Sequence, residues 1–123
     1  MHHPGYDIHH DPLFTTLQTM DLRALADRVD HPWHNQTLTR VGDVLIRLGV
    51  MQGEYHWHAH AGQDEFFLVL DGLFRIELDG ADTVELRPWQ GFTVPARMRH
   101  RPVAPVRSTV VMIERADVTP TGD

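Results

Sequence analysis

Apolar and polar positions between residues 37 and 114 fall into short runs broken by Gly, Pro and Asp, whereas a helical period occurs once, ahead of them. Leu22, Leu25, Ala26 and Val29 recur at helical spacing behind Asp21, which stands as an N-cap, and predict one short amphipathic helix over 21–29. Candidate strands cover 37–41, 44–51, 54–60, 65–70, 73–78, 83–86, 91–94, 100–103 and 108–114. Asp71-Gly72 separates two apolar runs by two residues and reads as a hairpin, and Asp79-Gly80 repeats the device. Short strands at regular spacing, with no helical pattern after the first thirty residues, predict an all-β sandwich or small barrel with a short N-terminal helix. The domain occupies 21–117, between a partly irregular lead of residues 1–20 and an irregular tail over 118–123. In the lead, His2-His3 and His9-His10 sit among Pro, Gly and Asp and read as surface histidines.

Composition narrows the possible partners. With 123 residues and a hydrophobic share of 41% the chain can bury one core without cross-links. It has no cysteine, so any metal must be held by nitrogen and oxygen ligands, a composition that suits a reducing cytoplasm. A formal charge of -6 argues against nucleic acid, whose phosphates need clustered cations. The apolar runs are far shorter than the roughly 18 residues of a membrane span, so no membrane partner is expected either. Arg97, Arg99, Arg101 and Arg107 crowd one stretch. Alternation sends the first three to one face, where a solvated strand surface is favoured over an anion site.

The densest chemistry is the run Tyr55-His56-Trp57-His58-Ala59-His60, followed by Glu65. On an extended strand His56, His58 and His60 share a face, with Tyr55 and Trp57 opposite. Residues two apart lie about 6.6 Å apart along a strand, so His-x-His can offer two ligands to one ion. The spacer Ala61-Gly62-Gln63-Asp64 lets the chain return with Glu65 facing the same interior. This spacing selects His58 and His60 with Glu65, takes His100 as the further ligand, and leaves His56 as a pocket residue. Neutral imidazole and carboxylate suit a divalent transition metal such as Zn, Mn, Fe or Ni. Strand parity adds Phe67 and Val69 to the pocket lining, with Arg47 as a polar contact. Asp64 has the opposite parity and reads as structural, and His31 and His34 fall in the connection after the helix, with a role at the pocket mouth as the alternative.

These residues resemble the first motif of the cupins, a glycine, His-x-His, a short spacer, Glu, six residues and Gly, here Gly53, His58-Ala59-His60, Glu65 and Gly72. The second motif keeps Pro95 and His100 but has Trp89 and Arg97 where glycines are usual, and a non-glycine residue takes positive φ only at a cost. The run 53–78, His100-Arg101-Pro102-Val103-Ala104 and the end of the chain are similar to small single-domain cupins of the mannose-6-phosphate-isomerase-like type. The resemblance implies a double-stranded β-helix, or jelly roll, with a metal inside the barrel on three His and one Glu, and commonly a homodimer. It does not imply a reaction. A metal-dependent oxygenase or isomerase acting on a small molecule, a non-catalytic binding or sensing module, and a histidine cluster without metal all remain open.

Overall fold

Runs such as 44–51 and 66–70 are apolar on both strand faces and therefore need cover on both sides, which the fold supplies. The protein was analysed as a computed structural model that describes residues 5–117 and 121–122; His2, His3 and much of the expected tail, residues 118–120 and 123, lie outside the described residues. The elements are β1 (Asp7–His9), α1 (Leu22–Asp27), β2 (Trp33–Val41), β3 (Val44–Glu54), β4 (Glu65–Asp71), β5 (Phe74–Leu78), β6 (Val84–Leu86), β7 (Gly91–Val94) and β8 (His100–Arg115). They form one sheet in the order β1-β2-β3-β8-β4-β7, with β5 also on β8 and β6 on β5, and it curls into an all-β jelly roll. Inside lie Phe67, Val69, Phe74, Ile76, Val110 and Met112. Their strand neighbours Leu68, Leu70, Val111 and Ile113 face outward, where Leu22 and Leu25 of α1, Phe14 and Met20 cover them. Asp21 caps α1 by accepting from Ala24 N at 3.0 Å.

Three predicted features differ in the structure. The stretches 100–103 and 108–114 are one strand, β8. It pairs with β3 along one edge, and along the other with β5 through 100–103 and with β4 through 109–113. Asp71-Gly72 is consequently no hairpin: β4 and β5 both run antiparallel to β8, and Gly72 makes the kink that moves the chain from one stretch of β8 to the next. Gly72 has φ 94°, and a Cβ there would lie 2.4 Å from Ser108 Oγ and 2.6 Å from the Arg107 carbonyl. The Ser108 hydroxyl accepts from Leu73 N at 3.1 Å and donates to Leu73 O at 2.9 Å, which fixes the kink. The lead, thirdly, is tied to the sheet: β1 pairs parallel with β2, and Leu13 N and Phe14 N donate to Thr37 O and Leu38 O. Asp79-Gly80, by contrast, does join an antiparallel pair, β5 and β6.

Candidate metal centre

The chain leaves regular pairing at Glu54, so the strand expected over 54–60 ends where it was expected to begin. Two contacts then hold the segment to β8: Tyr55 N donates to Pro102 O at 2.9 Å, and His58 exchanges backbone hydrogen bonds with His100 at 3.0 and 2.8 Å. Three residues on one side thus oppose two on the other. Such an extra residue acts as a bulge and reverses the alternation on either side of it. Tyr55 therefore faces the cavity together with His58, contrary to the simple parity expected of it.

His58, His60, Glu65 and His100 are all buried, and each offers a ligand atom to a group in which these atoms lie within 4.8 Å of one another. Glu65 opens β4 and His100 opens β8, while His58 and His60 come from the irregular segment between β3 and β4. His60 Nε2 lies 3.2 Å and His100 Nε2 3.6 Å from Glu65 Oε1. His58 Nδ1 donates to His56 O at 3.1 Å and His100 Nδ1 to Met98 O at 2.9 Å, which leaves Nε2 of each ring as the basic nitrogen. The buried Nε2 of His100 has no hydrogen-bond partner. Burial, with repulsion from His100, lowers the His58 imidazole to about 4, so it is neutral at pH 7. Burial opposes ionisation of Glu65, but the nearby His100 ring and the hydrogen bond from His60 prevail and hold its carboxyl well below the usual range. Three imidazoles and one carboxylate, buried and convergent, form a group that could hold a metal.

A cavity opens beside this centre, with Tyr6, Trp33, Tyr55, Phe67, Met51 and Met112 in its wall and His34, His58, Glu65 and Asn35 as polar members. Of the four pocket residues expected, Phe67 lines it. Val69 is buried in the core instead, and Arg47 lies behind the wall with its Nε 2.8 Å from Asn35 Oδ1 and 3.4 Å from Glu114 Oε1. His56 is not in the lining either, because the bulge turns it aside. Its Nε2 donates to Thr121 O at 2.7 Å, its Nδ1 therefore accepts from Tyr6 O–H at 3.1 Å, and its ring stacks on Tyr55. Sequence parity missed Tyr55 because the extra residue carries no composition signal, and missed Tyr6 and Trp33 because they belong to segments without alternation.

The surrounding turns carry strain. Trp89 has φ 72° and Arg97 φ 68°, so the positions where glycine is usual keep the left-handed conformation without it. Asp64 accepts from Ala96 N at 2.9 Å and His60 O from Arg97 N at 2.7 Å, which tie the second turn to the ligand loop and confirm Asp64 as structural. The arginines point away from the cavity. Arg97 and Arg99 are exposed, Arg99 and Arg101 lie over the Trp57 ring at 5.1 and 5.5 Å, and Arg101 pairs with Glu77 at 2.6 Å. Arg107 donates to the carbonyls of Ala26 (3.1 Å) and Val29 beyond the end of α1. None of these four is placed to bind a phosphate in the cavity.

A family model described as a cupin domain matches residues 44–114, over half of the chain. The uncharacterised protein YdbB of Bacillus subtilis strain 168 is 33% identical over 94 residues, covering 76% of this chain and 83% of YdbB. Among solved structures, a cupin-2 domain containing protein from Shewanella frigidimarina superposes with a TM-score of 0.74 at 23% identity, covering 79% of this chain and 94% of that one. Protein NMB1881 from Neisseria meningitidis gives 0.71 at 20% identity, covering 80% and 99%. At these identities the structural likenesses speak for the fold.

Proposed function

The chain belongs to the cupin-domain family, and on that footing we propose that it is a metal-dependent enzyme, oxygenase-like or isomerase-like, acting on a small and largely apolar organic molecule. The observation that carries this reading is the buried, unpartnered Nε2 of His100 beside the Glu65 carboxylate and two further imidazoles. Such a nitrogen costs stability unless something takes its lone pair. A divalent Zn, Mn, Fe or Ni held by His58, His60, Glu65 and His100 would supply Lewis acidity or oxygen activation to a ligand in the remaining positions.

The chain's own contribution is positioning. Trp33, Tyr55 and Phe67 exclude water and offer flat apolar surface to the ligand, while Asn35 offers a polar contact to orient it. Arg47 holds Asn35 from behind, and Tyr6 in the same wall is fixed by its hydrogen bond to His56. A small ligand, a homodimeric state and a cytoplasmic setting complete the proposal. Among the described residues no helix is long and apolar enough to cross a membrane.

Metal analysis of untagged protein should find at least one first-row transition metal per chain. One equivalent should disappear in a His58→Ala, His60→Ala variant and persist in His56→Ala. Oxygen consumption and isomerisation assays over sugars, diols and aromatic acids then test turnover. A barrel centre that takes up no added metal would overturn the reading, and a loaded protein silent across the panel would point to a non-catalytic binding or sensing module.

A further inference from the structure

In the parallel pair of β1 and β2, Asp7 lies opposite His34, Ile8 opposite Asn35 and His9 opposite Gln36. Ile8 and Asn35 line the cavity; Asp7 and His9 lie on the other side of the pair, and His34, whose ring also borders the cavity, meets them there through its Nδ1. There the two oxygens of Asp7 are each met by an imidazole: His9 Nε2 lies 2.8 Å from Oδ1 and His34 Nδ1 2.8 Å from Oδ2. The three ligand atoms lie within 4.8 Å of one another. His34 is largely covered, with 16% of its side chain exposed, whereas Asp7 (39%) and His9 (49%) are open to solvent. Two imidazoles and one carboxylate on one side of a point, with solvent on the other, are a ligand set for a first-row transition metal completed by water.

We propose that Asp7, His9 and His34 form a second divalent transition-metal site, separate from the barrel centre, that fastens β1 to β2. The two sites share no residue. The functional consequence lies in the cavity wall, to which His34 itself belongs and into which β1 and its neighbour bring Ile8 and Tyr6. An ion bridging Asp7, His9 and His34 joins residues 27 positions apart in sequence and would hold that wall in register.

The probe is Zn2+ alone, titrated calorimetrically into tag-free, metal-stripped protein. The wild type should take up two equivalents, and an Asp7→Asn, His34→Ala variant should take up one. In the His58→Ala, His60→Ala background, provided circular dichroism shows it folded, one equivalent should remain and should weaken at least ~10-fold on adding Asp7→Asn and His34→Ala. Zn2+ should also slow amide exchange in residues 7–9 of that background. A His2→Ala, His3→Ala, His10→Ala variant controls for the other lead histidines and should keep both equivalents. The proposal is overturned if the Asp7→Asn, His34→Ala variant binds as many equivalents as the wild type, if the His58→Ala, His60→Ala background binds none, or if the His2, His3, His10 variant loses one. Failure of the barrel centre would appear separately, as an equivalent that survives His58→Ala, His60→Ala together with Asp7→Asn, His34→Ala or as one that never binds.

Discussion

Acidifying the metal-free protein from pH 8 to pH 5 should remove about 2 kcal/mol of folding stability through His58 alone. Burial, with the His100 ring nearby, lowers this imidazole from 6.5 to about 4 in the folded chain. The unfolded chain has no such burial and takes up the proton near the ordinary value. Above pH 6.5 neither state is protonated and the full stability is present. Between pH 6.5 and 4 only the unfolded state binds the proton, and stability falls with a limiting slope of about 1.4 kcal/mol per pH unit. Glu65 acts in the same direction, since its folded carboxyl is held low. Its share is lost only as pH falls below the usual carboxylate value of 4.5, so pH 5 largely separates the two groups. Urea unfolding in the presence of a chelator should show the midpoint dropping by about 1 M over this range. The same experiment on His58→Gln, which titrates nowhere in the range, should show that drop reduced by most of its size. Parallel pH dependences for wild type and His58→Gln would refute the argument, because they would mean that His58 is protonated alike in both states.

Three further outcomes test other parts of the structure. Gly72→Ala should lose at least ~3 kcal/mol in chemical denaturation, from left-handed strain and from a Cβ pressed on the Arg107 carbonyl and Ser108; a loss below ~1 kcal/mol would mean the kink relaxes freely. Glu114→Ala should cost about 3–5 kcal/mol by leaving Arg47 buried without its partner, while the double change Arg47→Met, Glu114→Leu should cost much less, as read from thermal unfolding of both variants. Arg97→Gly should change stability by less than ~1 kcal/mol, because relief at φ 68° is offset by a freer unfolded chain; metal affinity should be unchanged, since the bond to His60 O comes from the backbone of residue 97.

The group that could hold a metal was legible because its signal is chemical and local: His58, His60 and Glu65 lie within eight residues, and His100 ends a motif with few competing histidines. Phe67 was legible because β4 alternates without interruption. Tyr55 and His56 were exchanged in role because parity arguments assume an unbroken ladder, and the register between 55–58 and 100–102 gains one residue. The Asp71-Gly72 turn has the composition of a hairpin, yet whether a turn reverses the chain or redirects it depends on which strand is the partner. Here the partner is β8, some thirty residues downstream. The second ligand cluster joins Asp7 and His9 to His34 through a parallel pairing of a three-residue strand, and no local pattern announces such a pairing.

That dependence on β8 has a temporal side. β3, β4 and β5 each find a neighbour in residues 100–115, so the jelly roll lacks its central strand until that stretch has left the ribosome. The β1-β2-β3 unit, with β2 and β3 joined by the short turn at Gly42-Asp43, is the largest part of the sheet able to form earlier. Sequence-distant pairing of this kind slows folding to the millisecond-to-second range and keeps apolar strands such as 65–71 exposed in the meantime. A nascent chain halted before residue 100 should accordingly be a client for chaperones, sensitive to protease throughout, and should acquire resistance in one step once residue 115 is clear of the exit tunnel.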